Sequence, residues 1–194
     1  MSDVTTRSVP TLSPAVALVA WLVAALALIA SGVAARVPPV MPAWIALSVA
    51  GWIVAYHRSS TLRAWADSLD LRALVIAHAI RLPIGALFLY EMSRGRLAPL
   101  FAERAGYGDI AIGALALVAT LAIPSRRKLV AAFSWLGLAD IFVALGTGMF
   151  LLFVVEDPMF TTPITTLPYP LIPAIVVPLV ILSHVLVIAR LARR

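Results

Sequence analysis

Six runs of mostly apolar residues, separated by short charged or proline-bearing connections, constrain this chain more than any other feature. They cover Pro14–Ala34, Pro39–Tyr56, Ala73–Glu91, Tyr107–Pro124, Leu129–Val154 and Pro170–Arg190. A helix rises about 1.5 Å per residue, so roughly 20 residues cross the hydrocarbon core of a bilayer. None of the runs alternates as a membrane β-barrel strand does. Of the 194 residues 62% are apolar and 12% charged, too little polar surface to coat a water-soluble core. The expectation is an all-α polytopic membrane protein with six transmembrane helices in one integral domain, residues 1–194. The first run exceeds the apolar region of about 7–15 residues found in a secretory signal and follows a single basic residue, Arg7, so it reads as a retained helix.

Charge sets the expected orientation. The chain has 15 Lys+Arg against 9 Asp+Glu, a net +6. Most of these groups cap apolar runs, which makes them topology signals and argues against a nucleic-acid partner. With six spans both termini share one side, where Arg7, Arg58, Arg63, Arg72, Arg126, Arg127, Lys128, Arg190, Arg193 and Arg194 collect. The other side has Arg36, Arg94, Arg96 and Arg104. This bias puts both termini in the cytoplasm. Between spans two and three, Leu62, Trp65 and Leu69 recur at helical spacing among charges, which predicts a short interfacial helix capped by Ser60 or Thr61. The outer connection Glu91–Gly106 reads as a loop dipping into the headgroups. Prolines disfavour helix across Pro158–Pro173, which reads as an extended lid. Trp44, Tyr56, Trp65, Tyr90, Tyr107 and Tyr169 fit interfacial belts, while Trp52 and Trp135 read as packed.

Ionisable residues inside spans cost at least about 2.5–3.5 kcal/mol each and therefore face protein. Five stand out: His78, Arg81, Asp109, Asp140 and His184. Arg81 shares a helix face with His78 and Gly85, while Asp109 aligns with Gly113, Ala116 and Thr120. Ser134, Gly137, Asp140, Ala144 and Thr147 line a third stripe. Small residues beside a charge suit closely packed seams. Counted from the basic side, Arg81 and Asp140 lie roughly 12 and 17 Å deep, so an Arg81–Asp140 pair is expected near mid-membrane. Its role is open between a salt bridge that fixes register and a binding site for a small polar solute. Asp109 reads as an N-terminal cap near the outer face, with Arg104 or Arg96 as a further partner. His78 and His184 fall at matching depths of roughly 8–9 Å, as two axial ligands of a b-type haem would. The alternative for each is a lone histidine bonded to a carbonyl or to Ser183.

Cysteine is absent, which excludes thiolate metal sites and covalent haem. No phosphate loop, zinc-protease helix or nucleophile elbow is present, so nothing marks an enzyme. The segments Arg81-Leu82-Pro83-x-Gly85, Phe101-Ala102-x-x-Ala105-Gly106-x-Gly108-Asp109-Ile110, Trp135-x-Gly137-x-x-Asp140 and Leu167-Pro168-x-x-Leu171-Ile172-Pro173 resemble those of a group of uncharacterised bacterial multi-pass membrane proteins. The resemblance spans roughly the last two thirds of the chain and implies a bacterial inner-membrane location with no activity attached. Three functions are therefore carried forward. The first is an interior of Arg81, Asp140 and Asp109 that binds or translocates a small polar or ionic solute. The others are a haem b protein using His78 and His184, and an accessory subunit of a homo-oligomer or larger membrane complex.

Overall fold

The computed structural model describes residues 13–193; Arg7 and Arg194 lie outside them. Among the described residues the fold is all-α, with no strand. Five helices are long and apolar enough to cross a membrane: α2 (Val40–Arg58), α4 (Leu71–Ser93), α5 (Pro99–Leu121), α6 (Arg127–Val155) and α8 (Ile172–Ala192). The first apolar helix, α1 (Pro14–Ala30), has 17 residues and falls short of the expected Pro14–Ala34 run. It starts where Ser13 accepts a hydrogen bond from the Val16 amide at 3.2 Å and stops at Gly32, whose φ of 64° breaks the helix before the single turn Val33–Arg36. Two short helices, α3 (Ser60–Ser68) and α7 (Pro158–Thr165), lie between the long ones.

α3 is a short helix at the place where one was expected between the second and third runs. Its cap is Ser59, whose hydroxyl accepts from Leu62 N, one residue earlier than expected, and it buries Leu62 and Ala66. At this end of the bundle arginines take up the carbonyls that helix ends leave open. Arg72 donates to the Ile123 carbonyl and Arg127 to that of Leu191, each at 2.6 Å. Arg190 donates to the Leu69 carbonyl at 2.5 Å and also to that of Ala66.

Two expectations at the opposite end are corrected. α5 begins at Pro99 rather than at Tyr107, so Glu91–Gly106 is mostly helix with a tight connection rather than a long loop. Proline at the first helical turn is preorganised, and Phe101 packs on Phe88 and Phe160 at centroid distances of 5.4 and 4.8 Å. Burial of Ala102 and Ala105 then keeps the turn helical while Glu103 stays exposed. The proline-rich segment likewise holds helix α7 rather than an extended lid. Asp157 caps it through Met159 N at 2.8 Å, and Pro163 inside it leaves the Met159 carbonyl without its intrahelical donor. Ala98 N fills that vacancy at 3.2 Å.

The same exchange recurs in α8. Pro178 cannot donate to the Ala174 carbonyl, and the indole N–H of Trp44 does so at 2.8 Å. Trp44 is thus a helix-to-helix fastener, and it stacks on Trp21 at 6.4 Å. In α4, Pro83 cannot donate to the Ala79 carbonyl, and the backbone tightens into a 3-10 turn at Ala77–Ile80, where the Arg81 amide faces that carbonyl. Trp135 points outward with 61% of its surface exposed, against the expectation that it packs.

Glycines set how closely the helices approach. A Cβ on Gly85 of α4 would collide with the Gly106 carbonyl oxygen of α5, and one on Gly113 would come within 2.8 Å of Leu82. Among the described residues three apolar clusters fill the bundle, one of them, around Ile45, Leu138, Ile141 and Ile181, joining α2, α6 and α8. A second, around Val75, Ile112, Val130, Phe133 and Val187, lies toward the arginine-laced end. Another, around Phe88, Leu97, Ala102, Leu151 and Phe160, lies toward the opposite end. Along α4, α5 and α6, His78, Arg81, Asp109 and Asp140 fall between the last two of these clusters.

Candidate functional site

Arg81, Asp109 and Asp140 come together from α4, α5 and α6. The Arg81 Nε donates to Asp109 Oδ1 at 2.5 Å, and its Nη2 donates to Asp140 Oδ2. The expected Arg81–Asp140 contact is present, and Asp109 completes a triad. That position corrects the reading of Asp109 as a helix cap, because α5 starts at Pro99 and leaves Asp109 in mid-helix. Neither expected outer partner reaches it. Arg96 forms a bidentate pair with Glu91 at 2.5 and 2.9 Å, and Arg104 donates to Thr147 Oγ1 at 3.3 Å.

The triad is close to dry. Only 3% of Arg81 is exposed, and the aspartate side chains retain 16% and 15%. Counted as ionised, two carboxylates and one guanidinium leave one negative charge in excess. The third guanidinium nitrogen, Nη1, is buried without a partner. Gly108 makes the geometry feasible, since a Cβ there would occupy the position of the Asp140 carboxylate. Sequence reasoning missed this role of Gly108, although Gly106-x-Gly108-Asp109 was its signal: two bare positions on the helix that carries one of the carboxylates.

His78 and His184 also meet, but not as ligands of a flat macrocycle. Their rings stack with centroids 3.9 Å apart and planes 29° from parallel, and Phe133 packs on both at 5.3 and 5.1 Å. Bis-imidazole ligation needs two rings end-on to one iron from opposite faces of the porphyrin. Face-to-face rings at this spacing leave no room for the group, so haem b does not fit and no step is assigned to it. Among the described residues no cluster of three metal-ligating side chains occurs. Ser183 Oγ donates to the Val180 carbonyl at 2.9 Å and lies 2.8 Å from His78 Nε2, which assigns the proton to that nitrogen. His78 Nδ1, both His184 nitrogens and Ser134 Oγ are buried without partners. Gly137, on the same face of α6 as Ser134 and Asp140, provides the space against which the His184 ring lies.

An open groove of about 470 Å³ runs between α5 and α6 toward the end opposite the arginine lacing, lined by Leu100, Arg104, Phe142, Val143, Thr147 and Phe150. Thr147 stands two helical turns from Asp140 on one stripe of α6. The bundle thus combines five long apolar helices with buried polar and charged groups, and the groove at Arg104 and Thr147 includes no member of the triad.

No curated protein and no solved structure matches the chain. The model of one family, a domain of unknown function (DUF8737), matches residues 38–192. That match takes in all five long helices and every member of the triad, and the chain belongs to this family.

Proposed function

We propose that the protein binds, and in doing so passes, a small cationic solute at Asp109 and Asp140, the proton being the smallest candidate. The observation that carries this reading is the surplus of carboxylate over guanidinium in a site with little water. An uncompensated charge in such surroundings is costly, and a mobile cation or proton removes the cost. Arg81, committed to both carboxylates, holds them in position and is not a free receptor for an anion. Thr147, two turns from Asp140 on the same stripe of α6 and at the groove with Arg104, supports an approach from the outer side. In this reading α1 is a sixth span, the arginine-laced end and both termini face the cytoplasm, and the membrane is the bacterial inner membrane.

Infrared difference spectroscopy on the protein in lipid tests it. Exchanging sodium for choline, or stepping the pH, is expected to change carboxyl bands that disappear in Asp109→Asn or Asp140→Asn. Spectra without a carboxyl difference under either exchange overturn the proposal.

A further inference from the structure

A cavity of about 250 Å³ lies between α1, α2, α3 and α8, away from the triad. Its wall is almost wholly hydrocarbon and indole, with Trp52, Leu62, Trp65 and Leu182 among the lining residues. Trp65 and Leu179 are 37% and 40% exposed, so the cavity opens on the flank of the bundle. At one end it reaches Tyr56, His57 and Arg193. There the guanidinium groups of Arg63 and Arg193 lie 5.8 and 5.7 Å from the Tyr56 ring. Arg193 also donates to Tyr56 Oη at 2.6 Å and to Asp67 at 3.0 Å, and half of its side chain remains exposed. Arg63, which donates to the Tyr56 and His57 carbonyls, and Arg190, which donates to those of Leu69 and Ala66, keep their charge beside Arg193, so three guanidinium groups face Asp67 and Asp70 and this end is net positive.

We propose that this cavity is a binding site for an anionic phospholipid of the surrounding leaflet, with one acyl chain inside and the phosphate at Arg193 and Arg63. Length, volume and charge agree on that occupant. From Leu179 to Arg193, α8 runs about 21 Å, the reach of one long extended acyl chain. The volume lies just below the range of about 300–1,000 Å³ found for ordinary small-molecule sites, so one chain enters and its sister stays in the bilayer. An apolar slot ending in guanidinium groups rejects a neutral headgroup less well than it rewards a negative one, which selects phosphatidylglycerol over phosphatidylcholine. α3, with Leu62 and Ala66 turned inward, forms the wall nearest the headgroup.

The test is native mass spectrometry of the full chain released from detergent micelles after titration with phosphatidylglycerol or phosphatidylcholine. One retained phosphatidylglycerol per chain is expected, with phosphatidylcholine held more weakly. Arg193→Gln and Arg63→Gln should each weaken retention about fivefold, the loss of one cationic contact to an anionic lipid. Leu182→Phe, which fills the slot, should lower retention of either lipid, with melting in detergent as its folding control. Equal retention of the two lipids, or retention untouched by both arginine changes, overturns the proposal. So does a dimer whose share falls with Leu182→Phe, since a second copy would then occupy the slot. Neither arginine belongs to the triad, so failure here leaves the cation reading standing.

Discussion

Removing Arg81 and removing one of its aspartates are unequal perturbations, and the inequality follows from counting charges. With all three groups ionised the triad carries −1. Arg81→Met takes it to −2, leaving two carboxylates within a site where the aspartates are 16% and 15% exposed and no cation remains within hydrogen-bonding reach. Breaking a buried ion pair from one side costs about 3–5 kcal/mol, and Arg81→Met belongs in that range. Asp109→Asn or Asp140→Asn instead leaves one carboxylate on one guanidinium, an even pair, and the new amide still accepts a hydrogen bond. Each should cost about 1 kcal/mol, the worth of a weakened charge-assisted hydrogen bond. The triple change Arg81→Met/Asp109→Asn/Asp140→Asn should recover most of the loss. Reversible unfolding of the detergent-solubilised protein by increasing SDS gives the four free energies. If either asparagine variant costs as much as Arg81→Met, the excess-charge reasoning is refuted, and with it the ground for a cation site.

Gly137→Ala places a methyl group against the His184 ring and should destabilise by about 1–3 kcal/mol in the same unfolding assay, whereas Gly146→Ala, with open space around it, should be silent. At the arginine-laced end, partial burial raises the Asp67 carboxyl, but hydrogen bonds from Tyr56 and Arg193 and the charges of Arg193 and Arg190 outweigh it. The net is a value below the ordinary 3.8. A carboxyl lowered on folding stabilises above its unfolded value and loses that contribution as pH falls through the folded one. The α3–α8 attachment should therefore hold above about pH 4 and weaken below it, an effect absent in Asp67→Asn and followed by carboxyl NMR titration. Because the chain has no cysteine, Ser59→Cys and Thr161→Cys report orientation cleanly. An impermeant maleimide should label Thr161→Cys from outside intact cells and Ser59→Cys only after permeabilisation.

Helix positions were legible where hydrophobic length decides them, as in α2, α4, α6 and α8, and so was the short helix α3, with Leu62 and Trp65 at helical spacing among charges. What misled was punctuation. Pro99, Glu103 and Arg104 read as loop because their local preferences oppose a span, yet burial of Phe101, Ala102 and Ala105 overrides those preferences and extends α5 outward. Pro163 reads as a break in an extended segment, yet the donors that stand in for those of Pro163 and Pro178, Ala98 N and Trp44 Nε1, come from distant segments that no local window contains. The Arg81–Asp140 contact followed from matched depth. Asp109 was misplaced only because the start of its helix was. The stacking of His78 on His184 was out of reach, since equal depth says nothing about which way two rings face.

Where α4 and α5 meet without Cβ atoms, at Gly85, Gly106 and Gly113, they form one stiff plank that has no slack to twist or slide. Any opening and closing of the bundle must be taken up elsewhere. The loosened windings are the π turns at Leu151–Val155 and Ile172–Val176, on either side of α7, the first ending at Glu156 with φ of 54°. If the proposed cation passage involves a gate, these two joints are where it would hinge, with the plank as its fixed jamb.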